Sequence, residues 1–163
     1  MNLLILKAKD ISNNIARVTG RQLDHILNIH SAQKGDMINI GLLNGPIGSG
    51  KILSINNTNM SLELTLDLPP PKPLPLTMII ALPRPKMLKR ILQTISAMGV
   101  KELYLVNSSR VEKSYWQSPL LSPEAIEEQL LLGLEQAKDT ILPVVHLRKL
   151  FKPFVEDELL NIV

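Results

Sequence analysis

The chain has no cysteine, which excludes a disulfide framework and any thiolate metal site and fits a reducing compartment, so the cytoplasm is the expected location. Aromatic residues make up 3%. Trp116, Tyr104, Tyr115, Phe151 and Phe154 are too few and too dispersed in sequence to form the row of stacking platforms on which single-strand nucleic-acid binders rely. Long hydrophobic runs are missing as well: no window approaches the ~20 apolar residues of a membrane-spanning helix. The apolar run in MNLLILKAKD is too short for a signal peptide and has no charged region ahead of it. A soluble protein without a membrane partner is expected.

Acidic residues are scarce in one place, and that scarcity is informative. Up to Lys72 there are 7 basic and 5 acidic residues, from Ser114 onward 4 and 8, but between Arg84 and Lys113 the ratio is 7 to 2. The formal charge of +3 hides this concentration. Such a segment attracts a polyanion, and phosphate-rich RNA is the leading candidate. The 163 residues, 45% apolar with mean hydropathy +0.12, suffice for one ordinary domain or two small ones.

The sharpest break in composition is Leu68 to Pro75, LPPPKPLP, where five prolines in eight positions remove backbone donors and favour an extended chain. We read residues 69–76 as a semi-rigid linker between domains 1–68 and 77–163; a Pro-rich edge loop within one domain is the alternative. Ahead of it the pattern is β-like, with strands expected over Leu3 to Leu6, Met37 to Leu42, Ile47 to Ile55 and Met60 to Leu68, and a short helix near Gln22 to Ile29. Lys34-Gly35-Asp36, Asn44-Gly45-Pro46 and Asn56 to Asn59 supply the turns. A small β-barrel is the economical arrangement.

After the linker the period changes from 2 to 3.6. Thr77 to Leu82 reads as a strand covered on both faces, and Leu88, Ile91, Leu92, Ile95 and Met98 share one side of a helix closed by Gly99. Glu102 to Val106 is the next buried strand. Ser122-Pro123-Glu124 starts a helix running to about Lys138, Pro143 to His146 forms a short strand, and Lys149 to Leu160 a final helix. The alternation implies α/β architecture with a parallel sheet.

Several constellations bear on chemistry. Gly45 to Lys51, GPIGSGK, approaches the phosphate-cradling loop of nucleotide hydrolases, but Ile52 stands where a magnesium-binding hydroxyl is needed and the following residues alternate like a strand. A hairpin whose Lys51 touches RNA phosphate, or an exposed turn without a partner, accounts better for it. Lys86 and Arg90 lie one helical turn apart with Lys89 beside them, away from the apolar stripe. A solvated face is the bland explanation; Arg84 before the helix and Arg110 after the next strand favour a binding edge, because open α/β sheets take ligands at the C-terminal ends of their strands. These cations would hold RNA rather than read its bases, with Arg17, Arg21 and Lys51 as further candidates on the barrel. His25, His30 and His146 lack metal-ligand spacing and read as structural. No catalytic group can be assigned.

With those residues in view, the chain resembles the 16S ribosomal RNA uridine-N3 methyltransferases (small-subunit methyltransferase E) of the SPOUT, or α/β-knot, superfamily. The markers are His25-Ile26-Leu27 followed by Lys34-Gly35-Asp36, Asn44-Gly45, Arg84, Gln93 with Met98-Gly99-Val100, Ser109-Arg110, and Glu135-Gln136 with Pro143. The resemblance implies a PUA-like barrel followed by the first half of a SPOUT-type parallel sheet. It further implies methyl transfer from S-adenosylmethionine to N3 of a uridine in 16S rRNA of the small ribosomal subunit, a homodimer, and Glu135 and Gln136 on the substrate side. Departures at Asn28, Ser31, Thr94, Ala97 and Lys138-Asp139 leave the RNA target open. Members of that family continue past the equivalent of Val163 into a glycine-rich loop and a tail that form the knot and bind the cofactor. The expectation is therefore a fragment or truncated member that binds no S-adenosylmethionine alone; a non-catalytic RNA-binding protein keeping the barrel and half the sheet is the alternative.

Overall fold

A computed structural model describes residues 2–30 and 32–162, the side chains of Ile29, His30 and Asn161 excepted. Expectations on Ser31 and on the His30 side chain lie outside the described residues. The chain divides into two compact units, one comprising residues up to Pro71 with Leu134–Ile141, the other Lys72–Gly133 with residues from Leu142 onward. The boundary expected at the prolines is thus joined by a second crossing, because eight residues late in the chain pack with the first unit.

The first unit is built on a six-stranded sheet of β1 (Leu4–Leu6), β2 (Ile11–Ser12), β3 (Ile15–Val18), β4 (Met37–Leu42), β5 (Ile47–Ile55) and β6 (Met60–Leu68), in the order β1-β4-β5-β6-β3-β2. The β1 and β4 strands run parallel and the other pairs antiparallel. Alternation decides the faces. Met60, Leu62 and Leu64 of β6 are buried with Ala16, Val18, Ile40 and Ile52, while Glu63, Thr65, Arg17 and Lys51 point outward. Burying a leucine such as Leu62, which is 0% exposed, contributes about 2 kcal/mol. The sheet curls into a half-barrel. Its edge strands β1 and β2 do not pair with each other, so hydrogen bonding does not close the expected barrel.

Two features of this unit went unexpected. Asn13 and Asn14, with φ of 49° and 64°, turn the β2–β3 hairpin, since a two-residue turn of this kind requires left-handed backbone at both positions. The short helix α1 (Gly20–His25) continues as a π-type turn over Ile26–His30, so the expected helix starts two residues early.

The second unit contains a three-stranded parallel sheet, β7 (Thr77–Ala81), β8 (Glu102–Val106) and β9 (Val144–Arg148), in sequence order, with Ile79, Tyr104 and His146 side by side. Helices α2 (Pro85–Ala97) and α3 (Pro123–Ala137) cover one face through Leu88, Leu92, Ile95, Ile126 and Leu130, which pack on Leu103 and Leu105. The helices approach closely at Gly133, where a Cβ would collide with the Gln93 carbonyl of α2. The Ser96 hydroxyl donates to the Leu130 carbonyl at 2.7 Å and Gln93 Nε2 to Gln129 Oε1 at 2.8 Å.

The opposite face corrects two expectations. Ile79 and Val144 are 40% and 48% exposed, so β7 is not covered on both sides. In place of a single helix over Lys149 to Leu160 there is one turn, α4 (Phe151–Pro153), then a π-type turn over Phe154–Glu158 and a 3-10 turn over Leu159–Asn161. Pro153 lacks an N–H. The buried Phe154 ring lies 5.4 Å from that of Tyr104, and Glu158 accepts from Arg148 Nε at 2.7 Å, so side-chain anchoring competes with a regular helix.

Candidate nucleic-acid interface

The C-terminal ends of β7, β8 and β9 are held level by backbone bonds: Leu82 N–H donates to the Val106 carbonyl at 2.9 Å and Asn107 N–H to the Arg148 carbonyl at 3.0 Å. From this edge rise Arg84, the turn carrying Arg110, and Lys149, all exposed. Arg84 caps α2 with Pro85 in the first turn, and no acidic residue stands there. Cations at a helix N-terminus oppose the helix dipole at a cost of about 0.3–1 kcal/mol each, so Arg84 and Lys86 are not explained by helix stability. They add to a positive field that favours an anion.

Lys86, Lys89 and Arg90 are exposed on α2 as the spacing predicts. Among the described residues none of Arg84, Lys86, Lys89, Arg90 and Arg110 has an ion-pair partner. Arg17 and Lys51 stand on the outward face of the first unit's sheet, with β6 between their strands. The GPIGSGK segment enters β5 with no helix after it, which excludes a nucleotide-hydrolase loop.

Arg21 differs from the other candidates. Its guanidinium donates from Nη1 to Glu135 Oε2 at 3.1 Å and from Nη2 to Oε1 at 2.8 Å, and Gln22 Nε2 adds a bond to Oε1 at 3.2 Å. The Glu135 side chain is 2% exposed and that of Arg21 50%. Around this pair Asn2 and Leu3 N–H groups donate to the Glu135 carbonyl, Asn2 Nδ2 to the Gln136 carbonyl, and Asn44 N–H to the Thr140 carbonyl. Arg21, Glu135 and Gln136 therefore fasten Leu134–Ile141 to the first unit. Asp139, one of the departures from the family pattern, is buried there; Thr94, Ala97 and Asn28 are exposed.

The turns after β8 also bring together residues that the sequence disperses. A 3-10 turn over Lys113–Gln117 presents Tyr115 and Trp116. Trp116 Nε1 donates to Asn107 Oδ1 at 3.2 Å, and Lys149 Nζ lies 6.0 Å from the centre of its ring. Tyr115 donates from its hydroxyl to Glu112 Oε1 at 3.0 Å, and this bond, with partial burial and the Glu112 charge, raises its pKa above 10.0 against the opposing effect of Arg84.

A groove of about 250 Å³ between α3 and β9 is lined by aliphatic side chains and prolines, with Glu127 its one ionisable residue. It is smaller than the ~300–1,000 Å³ usual for cofactor sites. It also offers no set of polar groups for a ribose and an amino-acid moiety, so it does not fit S-adenosylmethionine. Among the described residues no group of His, Cys, Asp and Glu could hold a metal ion, and no helix is long and apolar enough to cross a membrane. His146 Nε2 lies 2.8 Å from Glu102 Oε2, a local pair.

A curled β unit and a parallel α/β sheet whose C-terminal edge carries cations that have no ion-pair partner among the described residues define the class of architecture to which the chain belongs. Residues 70–160 match the RNA methyltransferase domain family, and the chain belongs to that family. It is 29% identical over 157 residues to ribosomal RNA small subunit methyltransferase E of Treponema pallidum, covering 94% of this chain and 59% of that protein. This chain thus spans less than two thirds of that relative. A probable rRNA methyltransferase from Porphyromonas gingivalis superposes with a TM-score of 0.72 at 18% identity, over 94% of this chain and 63% of its own. A small subunit methyltransferase E from Neisseria gonorrhoeae, bound to S-adenosyl methionine, gives 0.69 at 15%, over 91% and 62%. These two likenesses establish a shared fold.

Proposed function

We propose that this chain is the RNA-holding portion of a small-subunit rRNA methyltransferase that transfers a methyl group from S-adenosylmethionine to N3 of a uridine in 16S rRNA. In this reading the first unit is a PUA-like domain and the second the opening half of a SPOUT-type sheet. The observation that carries the proposal is the row of cations without ion-pair partners among the described residues, Arg84, Lys86, Lys89, Arg90 and Arg110, along the strand ends and first helix of a domain matching the RNA methyltransferase family. Arg17 and Lys51, exposed on the first unit's own sheet, are further candidate phosphate contacts.

S-adenosylmethionine supplies an electrophilic methyl group when bound. The part of the reaction these residues perform is to bind and orient the RNA; orientation alone contributes several kcal/mol to a group transfer. The groove between α3 and β9 does not suit S-adenosylmethionine, so calorimetric titration of the 163-residue chain with it should show no micromolar affinity. The test of RNA holding is a salt titration with a fluorescent 16S rRNA fragment. Affinity should fall linearly with the logarithm of salt concentration, by ~0.7 per phosphate neutralised on a single strand. Retention independent of salt would reject the proposal.

A further inference from the structure

We propose that Trp116 is a nucleobase-stacking platform, placed at the C-terminal edge of the parallel sheet to receive one unpaired base of the RNA. The inference rests on the RNA reading above and adds a subsite to it, since the cations there contact phosphate and leave the base without a partner.

Three observations converge on the indole. Its position is built: the Asn107 backbone is tied to the Arg148 carbonyl at 3.0 Å, and Asn107 Oδ1 in turn accepts from Trp116 Nε1 at 3.2 Å, which orients the ring from the end of β9. Its body is anchored, because Trp116 packs with Tyr115, Val111 and Leu120 against the core of the second unit. Its remaining surface is accessible, since the residue is only partly buried and Lys149, 6.0 Å from the ring centre, is an exposed flexible side chain at the outer limit of a cation–π contact. A tryptophan needed only to fill the core has no use for an electropositive rim. Here Lys149 stands above the ring and Arg84 is near enough to Tyr115 to depress its pKa against the other influences on it.

The chemistry that suits such a site is a flat π-face with a phosphate attached. RNA is recognised chiefly where unpaired bases splay out and stack on aromatic rings. A base displacing Lys149 from the indole would keep that ammonium within reach of the adjoining phosphate. One aromatic is too few for sequence-independent strand binding, but it suffices to hold a single base.

Trp116 is the only tryptophan, so the unaltered protein reports on the site. Intrinsic emission and the anisotropy of a 3′-labelled uridine-rich decamer are followed in the same titration, with inorganic polyphosphate as the second probe. Quenching that saturates with the anisotropy, and is absent with polyphosphate, is the expected result. Trp116→Leu should weaken decamer binding about tenfold and Trp116→Phe distinctly less, with Lys149→Met lowering affinity but leaving the quench. Decamer binding without any change in emission overturns the stacking site and leaves the RNA reading standing, as does equal quenching by polyphosphate. No anisotropy change overturns both.

Discussion

Arg21 offers the sharpest test, because as a phosphate ligand and as a structural clamp it predicts different measurements. Arg21→Ala would leave the Glu135 carboxylate, 2% exposed, with only the 3.2 Å bond from Gln22. Stranding a fully buried charge costs about 3–5 kcal/mol, whereas exposed pairs are worth about 0–1 kcal/mol. With the Arg21 side chain half in water, a loss near 2 kcal/mol is expected for the first unit. That corresponds to about 30-fold faster amide exchange, localised to residues 2–6 and 134–141, where Asn2, Leu3 and Thr140 make the fastening bonds. Glu135→Gln, which removes the buried charge and leaves a half-exposed guanidinium, should cost less. The double variant should cost less than the two singles added, with a coupling of at least about 1 kcal/mol. Hydrogen–deuterium exchange read by peptide gives the first quantity, and the salt slope of RNA binding gives the second. Unchanged exchange together with a slope reduced by ~0.7 would refute the clamp and restore Arg21 to the RNA surface.

Replacing Lys86, Lys89 and Arg90 together by Ala should reduce the salt slope of RNA binding by about 2 without altering the fold, because all three are exposed; an unchanged slope rejects α2 as a contact surface. Gly133→Val should destabilise the second unit by roughly 2–3 kcal/mol in urea denaturation followed by Trp116 emission, since its Cβ meets the backbone of α2. Gly48→Ala should prevent folding of the first unit, seen as lost strand signal in circular dichroism, because its Cβ would meet the Thr65 carbonyl across the sheet. The Tyr115 phenol is stabilised in its protonated form by Glu112, so this bond contributes stability below about pH 10 and loses it as pH rises through the elevated folded value. Glu112→Gln should move the phenolate absorbance transition of Tyr115 downward, and a transition that stays in place would show the hydrogen bond to be inconsequential.

Periodicity made much of each unit legible. Met37–Leu42, Ile47–Ile55, Met60–Leu68 and Glu102–Val106 are strands with the bounds that alternation and turn residues suggest, and Leu88, Leu92 and Ile95 mark the buried stripe of α2. Strands of two and four residues are too short to show a period, so β2 and β3 were hidden; the pair Asn13-Asn14 was their signal. The final helix failed because Tyr104, which anchors Phe154, lies on the distant strand β8, and Arg148, at the end of β9 just before the segment, draws in Glu158. Local spacing placed the α2 cations on an exposed face. It could not reveal that Arg21 meets Glu135, 114 positions away, or that Trp116 stands by Asn107 and Lys149. Those neighbours exist only once the strand ends are aligned.

The membership of Leu134–Ile141 in the first unit has a consequence for biosynthesis. A ribosome that has released Pro71 has delivered every strand of the six-stranded sheet, but Glu135, whose carbonyl accepts from Asn2 and Leu3 and whose carboxylate is buried, is still 64 residues from being made. At about 5–20 residues per second this is a delay of several seconds, during which the second unit's sequence is synthesised. The half-barrel emerges first and is finished late, with Arg21 awaiting its carboxylate throughout.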